Sequence, residues 1–214
     1  MIRVCGRCTV VVGLWDMKSE VPRRVRRPRV LPEFRRAVVA ETGQAQDAYR
    51  RIIEHLAATV NYPHWHSENH PTPVEIEKWI ADGDLYLAVQ ESSDGEGECR
   101  TESIIGVVVL DHDFANVDGP SPWRVEAEPH EVIAIHALGV VPEAQGKGVA
   151  RFMVDSAIEL ARSRGCKAVR LDTYVENAPA RALYGRYGFT QLGLYTVHYE
   201  GASVDQFHLF EYAL

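Results

Sequence analysis

Cysteine is scarce in this chain, four among 214 residues, and no apolar run approaches the roughly 20 residues that span a bilayer. So few cysteines, irregularly placed, cannot build a disulfide scaffold and point instead to reduced thiols in the cytoplasm. Cys5 and Cys8 form a C-x-x-C, but no second Cys or His pair lies nearby to complete a tetrahedral zinc site. No metal is expected. A basic excess is also lacking: 23 Lys and Arg stand against 30 Asp and Glu, a net charge of −7. Nucleic acid and membrane are therefore not expected partners. The exception is local, the Pro-punctuated run Val21-Pro22-Arg23-Arg24-Val25-Arg26-Arg27-Pro28-Arg29. The apolar stretch before it is too short for a secretory signal, so residues 1–32 read as a basic, disordered leader outside the fold. The rest, residues 33–214, suits a single domain.

From Glu33 onward the pattern is regular. Arg36–Glu41 (RAVVAE) reads as a strand, and Ala48, Tyr49, Ile52, Ile53, Leu56 and Val60 recur at helical spacing over 44–60. Thr72-Pro73 with Glu75 marks a second helix start, and Gly83 its end. Strands are expected at 85–90 and 104–110, with a hydrophilic hairpin tip between them. Residues 111–130 show no periodicity, and a loop that long is usually functional or mobile. Val132–Val141 is a near-continuous apolar run, as in a strand buried on both faces. A Gly-rich turn from Gln145 then opens a helix that stops at Gly165. A strand at 167–174 follows, then a short helix between the candidate caps Asn177 and Gly188, and two closing strands. The class is mixed α/β, a central twisted sheet flanked by helices in the order β-α-α-β-β-β-α-β-α-β-β.

A strand, a Gly-rich turn and a helix together form an anion site, because unpaired N–H groups of the first helical turn face the ligand. A P-loop needs G-x-x-x-x-G-K-[ST], which is absent. A G-x-G-x-x-G fingerprint would begin at Gly146 and Gly148, but its third position is Arg151. Asp172 could imitate the ribose-binding acid of such a fold, yet antiparallel hairpins flank the unit on both sides.

These residues resemble the GNAT superfamily of N-acetyltransferases. Its [QR]-x-x-G-x-[GA] signature reads here Gln145-Gly146-Lys147-Gly148-Val149-Ala150, preceded by L-x-V-x-P as Leu138-Gly139-Val140-Val141-Pro142. Asn177-Ala178-Pro179-Ala180-Arg181-Ala182-Leu183-Tyr184 matches the downstream N-x-x-A-x-x-x-Y, and Tyr187-Gly188-Phe189 the usual Y-G-F ending. The likeness covers about residues 35–214. Gly185 departs from it, since most members carry a better helix former there.

The resemblance implies acetyl-CoA as co-substrate and direct acetyl transfer to a primary amine of a small molecule or peptide, with no metal. Dimers are common among similar proteins, so a homodimer is an expectation of the family alone. Amides of Gly146, Lys147, Gly148, Val149, Ala150 and Arg151 would cradle the pyrophosphate, with Gln145 opening the turn. Main-chain groups of Leu138, Gly139 and Val140 would pair with the pantetheine arm where the fourth and fifth strands splay. Tyr184 holds the position of the proton donor to the leaving thiolate, or else is a core tyrosine. Asn177 contacts the cofactor or only caps its helix. His136 stands where many similar enzymes carry a glutamate base. Period-2 alternation puts it on one face with Leu138 and Val140, and a base there would titrate near 6–7.5. A buried neutral imidazole is the competing reading, and Glu131 is the reserve base. Tyr62, His64, Trp65, His66, Asp111, His112, Asp113 and Trp123 are acceptor-side candidates, and aromatic and acidic groups suit a cationic amine. The alternative function is a non-catalytic acyl-CoA-binding or sensory module on the same fold.

Overall fold

A computed structural model describes residues 32–93, 100–115, 117, 120–199 and 205–214. The basic leader and the Cys5/Cys8 pair lie outside these residues. Among the described residues seven strands form one sheet: β1 (Glu33–Arg36), β2 (Leu85–Ser93), β3 (Arg100–Asp111), β4 (Val132–Val140), β5 (Ala168–Tyr174), β6 (Thr190–Thr196) and β7 (Gln206–Ala213). Four helices of the described residues flank it: α1 (Thr42–Ala58), α2 (Pro73–Asp82), α3 (Val149–Ser163) and α4 (Ala178–Tyr187). The order across the sheet is β1-β2-β3-β4-β5-β7-β6. Only β4 and β5 pair in parallel, the two being joined by the crossover helix α3; β7 inserts antiparallel between β5 and β6.

Local chemistry accounts for the helix boundaries. Thr72 Oγ1 accepts from the Glu75 N–H at 3.2 Å while the Glu75 carboxylate accepts from the Thr72 N–H at 2.6 Å, a reciprocal cap for α2. Asn177 Oδ1 accepts from the Ala180 N–H at 3.2 Å and caps α4. Both helices end on a left-handed glycine, Gly83 (φ 81) and Gly188 (φ 88). Gly185 inside α4 has an ordinary helical φ, and a Cβ there would meet nothing within 4 Å. Gly185→Ala should therefore stabilise the domain by about 0.8–1 kcal/mol, a rise of about 2–4 °C in Tm by thermal melting. A lower Tm would mean that the added methyl meets something during packing.

The two faces of the sheet are covered by different helices. Gly139 on β4 pairs with Val107, and a Cβ on it would lie 2.8 Å from Ile52 Cδ1 of α1. Gly106, on the other face, would put a Cβ 2.8 Å from the Met153 side chain of α3. Both glycines let a helix close onto the central strands. Tyr49, Ile76, Leu85, Leu87, Ile133 and Met153 are all fully buried in the core so formed.

Two expectations need correction. The first strand lies at Glu33–Arg36, not 36–41, and Val39–Glu41 form a 3-10 turn. The Glu41 carboxylate accepts from the Val38 N–H and from Arg35, folding the chain back, and leaves Val38 and Val39 exposed despite their apolar character. The second concerns β4. Its register against β3 shifts by one residue between Gly139 and His136, with Ala137 at φ 46, so a β-bulge interrupts the alternation. His136 therefore shares a face with Gly139, and Val140 points to the other.

Candidate active site

Parallel pairing between β4 and β5 runs from Val132↔Ala168 to Ala134↔Arg170 and then stops, although both strands continue. Beyond that point the strands diverge, as expected of the splay, and a cleft of about 1710 Å³ passes through the gap. On the α3/α4 side it is lined by Gln145, Gly146, Gly148, Val149, Ala150, Arg151, Asn177 and Tyr184. Leu138, Gly139 and Val140 form its β4 margin. Lys147 does not line it.

The glycine turn has the geometry the sequence implied. Gly146 (φ 70) and Gly148 (φ 86) are both left-handed, and a Cβ on Gly146 would meet nothing within 4 Å. Gln145 Nε2 donates back to the Val140 carbonyl at 3.3 Å and fixes the turn on β4. Regular helix begins only at Val149, three residues after Gly146, so the N–H groups of the first α3 turn open toward the cleft with no side-chain cap and no acidic residue beside them. Such a cradle suits a pyrophosphate. Arg151 lies over the Tyr187 ring, 5.6 Å from its centroid, and Tyr187 Oη donates to the Arg151 carbonyl at 2.7 Å, tying α4 to α3.

Tyr184 projects from α4 to the same gap. Its ring packs against Phe189 and Phe210, with centroids 5.5 and 5.9 Å away. Burial, with Asp172 nearby, pushes its phenol well above the ordinary range, so it keeps its proton at neutral pH. Asn177 caps α4 through its side-chain oxygen and also lines the cleft.

His136 reaches the gap from the opposite face. Its Nε2 lies 2.6 Å from the Asp113 carbonyl and 3.2 Å from Asp111 Oδ1. Burial works against the charged imidazole, but the Asp111 carboxylate, Asp172 and the Asp113 carbonyl outweigh it and raise the pKa to about 9. The expected range of 6–7.5 is thus too low, and His136 is a cation at neutral pH. Because the folded pKa exceeds the unfolded value near 6.5, this group's contribution to stability is complete below about 6.5. It fades as pH rises through about 9. Glu131, the reserve base, is elsewhere: its carboxylate pairs with Lys167 at 2.7 Å and accepts from the Glu128 N–H. It fastens the start of β4, the end remote from the splay.

The acceptor-side candidates divide. Tyr62, His64, Trp65, Asp111 and Asp113 line the cleft; His66, His112 and Trp123 do not. His112 is spent on the Val132 carbonyl at 2.6 Å. Asp172, weighed in the sequence only as an imitation of a ribose-binding acid, enters this wall and accepts from Tyr199 Oη at 2.6 Å. Burial raises the Asp172 pKa above the usual aspartate value, while His136 and the Tyr199 hydroxyl partly restrain it. Among the described residues no cluster of three or more His, Cys, Asp or Glu could hold a metal ion, and no helix is long and apolar enough to cross a membrane.

Comparison with known proteins agrees with this geometry. A mycothiol acetyltransferase from Saccharomonospora viridis is 30% identical over 185 residues, 86% of this chain and 53% of the relative. The chain thus spans about half the length of that relative. A solved GNAT-family acetyltransferase from Listeria monocytogenes superposes with a TM-score of 0.59 at 20% identity, covering 86% of this chain and 95% of that one. A Salmonella typhimurium structure solved with its cofactor acetyl-CoA gives 0.52 at 18% identity, covering 86% and 95%. Both confirm the mixed sheet. The family model of the acetyltransferase (GNAT) family matches residues 49–189, from the middle of α1 through the Y-G-F turn, and the chain belongs to that family.

Proposed function

We propose that the chain is an acetyl-CoA-dependent N-acetyltransferase that moves an acetyl group directly to a primary amine of a small molecule or peptide. One observation carries the reading: the cleft crosses the sheet and changes sign as it does so. Among the described residues its only Lys or Arg side chains are Arg151 and Arg186, on the α3/α4 side beside the glycine turn. Its carboxylates, Glu75, Asp111, Asp113 and Asp172, belong to the opposite chamber, walled by Tyr62, Trp65, Tyr174 and Tyr199. Phosphates suit the first half and an organic cation the second. His136 offsets one of the four acids and Glu75 is engaged by Thr72 and His70, which leaves the chamber acidic overall and favours an amine that lacks its own carboxylate or phosphate.

The residues divide the work at the gap. Amides of Gly146 and of residues 148–151 hold the pyrophosphate, the Lys147 N–H being spent on the Ala144 carbonyl, and the side of β4 that β5 leaves unpaired at Leu138–Val140 orients the pantetheine arm. Tyr184 delivers a proton to the sulfur of the departing thiolate. His136, its Nε2 committed to Asp111 and Asp113, takes the amine's proton on Nδ1 when neutral. Free-thiol release from acetyl-CoA over a panel of mono- and diamines tests the whole. Release with some amine supports the proposal; tight acetyl-CoA binding with no release on any of them favours a non-catalytic acyl-CoA sensor.

The electrostatics of His136 have a separate readout. Its imidazole should titrate near pH 9 by NMR, and Asp111→Asn should lower that midpoint by about one unit or more, because the nearest carboxylate is lost. With wild-type enzyme, kcat/KM should rise through the same pH, and His136→Ala should remove that limb. A midpoint below 7 in the wild type would return His136 to an ordinary neutral base.

A further inference from the structure

One buried ion pair has no part in the chemistry above. Arg170 on β5 and Glu211 on β7 are direct cross-strand partners, each side chain 3% exposed, with Arg170 Nε 3.1 Å from Glu211 Oε1. A buried pair of this kind is costly to desolvate and often adds little stability over apolar residues of similar size. Its other contacts show what it holds. Glu211 Oε2 accepts from the Arg124 and Val125 N–H groups at 2.9 and 3.1 Å. Arg170 donates through a terminal nitrogen to the Val125 carbonyl at 2.7 Å. Its guanidinium also lies against the rings of Phe114 and Trp123, which meet edge to face, at 4.4 and 4.7 Å from their centroids.

All these contacts fall on the connection between β3 and β4, which has no strand or helix of its own over residues 112–128 among the described residues. That connection carries Asp113, Phe114 and Ala115 into the wall of the acceptor chamber, and the Asp113 carbonyl receives His136 Nε2. Arg170 itself does not line the cleft.

We propose that Arg170 and Glu211 are positioning residues for the acceptor. They clasp the β3–β4 connection onto the sheet at both ends, by ring contacts at Phe114 and Trp123 and by backbone bonds at residues 124–125. The place of Asp113 and Phe114 in the chamber wall then follows from a pair buried beside it. An arginine suits this role because its planar fork serves a carboxylate, a carbonyl and two aromatic rings at once, which lysine cannot do. The pyrophosphate cradle lies on the other face of the sheet and makes none of these contacts. Where it concerns the amine, this inference rests on the acetyl-transfer reading.

The test uses the double variant Arg170→Met/Glu211→Leu, which removes both charges and keeps apolar bulk between the strands. Arg170→Met alone leaves Glu211 buried without its partner and should lower Tm, so it serves only as a companion. With an amine found in the panel, the double variant should keep Tm and acetyl-CoA affinity while raising the amine KM about tenfold or more. Wild-type amine KM in a folded double variant would overturn the proposal, as would an equal loss of acetyl-CoA affinity. Cleavage by trypsin after Arg124 under native conditions gives a readout independent of turnover. It should be about tenfold faster in the double variant, because opening at that bond is no longer opposed by the clasp. An unchanged cleavage rate would overturn the clasp even if no amine were ever acetylated. Wild-type protein that releases thiol on no amine would fault the acetyl-transfer reading and leave the protease result to decide the clasp.

Discussion

Replacing Gly148 with valine should abolish measurable acetyl-CoA binding while leaving a folded chain. Gly148 stands at the start of α3 with φ 86, a conformation a β-branched residue adopts only under strain. The backbone cost of a left-handed non-glycine residue is about 1–2 kcal/mol, small beside the roughly 5–15 kcal/mol that typically separates folded from unfolded states. Binding suffers more, for two reasons. A valine side chain at the N-cap of α3 would crowd the N–H groups of the first turn, where a phosphate must approach to hydrogen-bond distance. Relief of the strain at φ 86 also rotates those amides away from a common centre. Gly148→Ala should fall between wild type and valine, since it adds the strain and only one of the carbons. Calorimetric titration with acetyl-CoA checks both, with circular dichroism confirming the fold. Micromolar binding retained by Gly148→Val would mean that the pyrophosphate sits elsewhere.

Much of this architecture was legible because local chemistry and tertiary context agree. Thr72, Glu75, Asn177, Gly83 and Gly188 each cap in the structure as their residue types require, since caps are settled within a few residues of chain. The glycine turn was legible for the same reason. What failed depends on side-chain contacts that apolar periodicity does not carry, some local and some distant in sequence. Val38 and Val39 look like a strand, but Arg35 and Glu41 close a turn beneath them, and an apolar pair does not reveal an ion pair on either side of it. The bulge at Ala137 has no glycine at that position to announce it; β4 meets β3 in two registers about it, and its carbonyl accepts from Tyr49 Oη, 88 residues away. His136 illustrates both sides. Its place at the cleft followed from its position before the Leu138–Pro142 motif, whereas its charge is set by Asp111 across the sheet. Arg170 and Glu211 are 41 residues apart; Arg170 falls on the polar side of an alternating strand with Asp172, so only Glu211, in register with Phe207 and Leu209, hinted at the clasp.

Tyr184→Phe should lower kcat about 100-fold or more, within the span usual for loss of one general acid, and change the KM for acetyl-CoA far less. The asymmetry follows from where the hydroxyl sits. The ring is buried between Phe189 and Phe210, contacts that phenylalanine keeps, so neither the packing of α4 nor the cleft's outline should alter. Only the O–H is lost, and its proton matters as the carbon–sulfur bond breaks, when negative charge gathers on sulfur. A phenol is suited to that step here because burial and nearby Asp172 raise its pKa, keeping it protonated through neutral pH. That shift argues against Tyr184 as the source of any limb between pH 6 and 9, so the variant should keep the wild-type pH profile at a lower plateau. His136→Ala should do the reverse, losing the limb near 9. If Tyr184→Phe leaves kcat unchanged, Tyr184 is only part of the core and the thiolate takes its proton from water. If instead it raises the KM for acetyl-CoA as much as it lowers kcat, the hydroxyl holds the thioester rather than protonating its product.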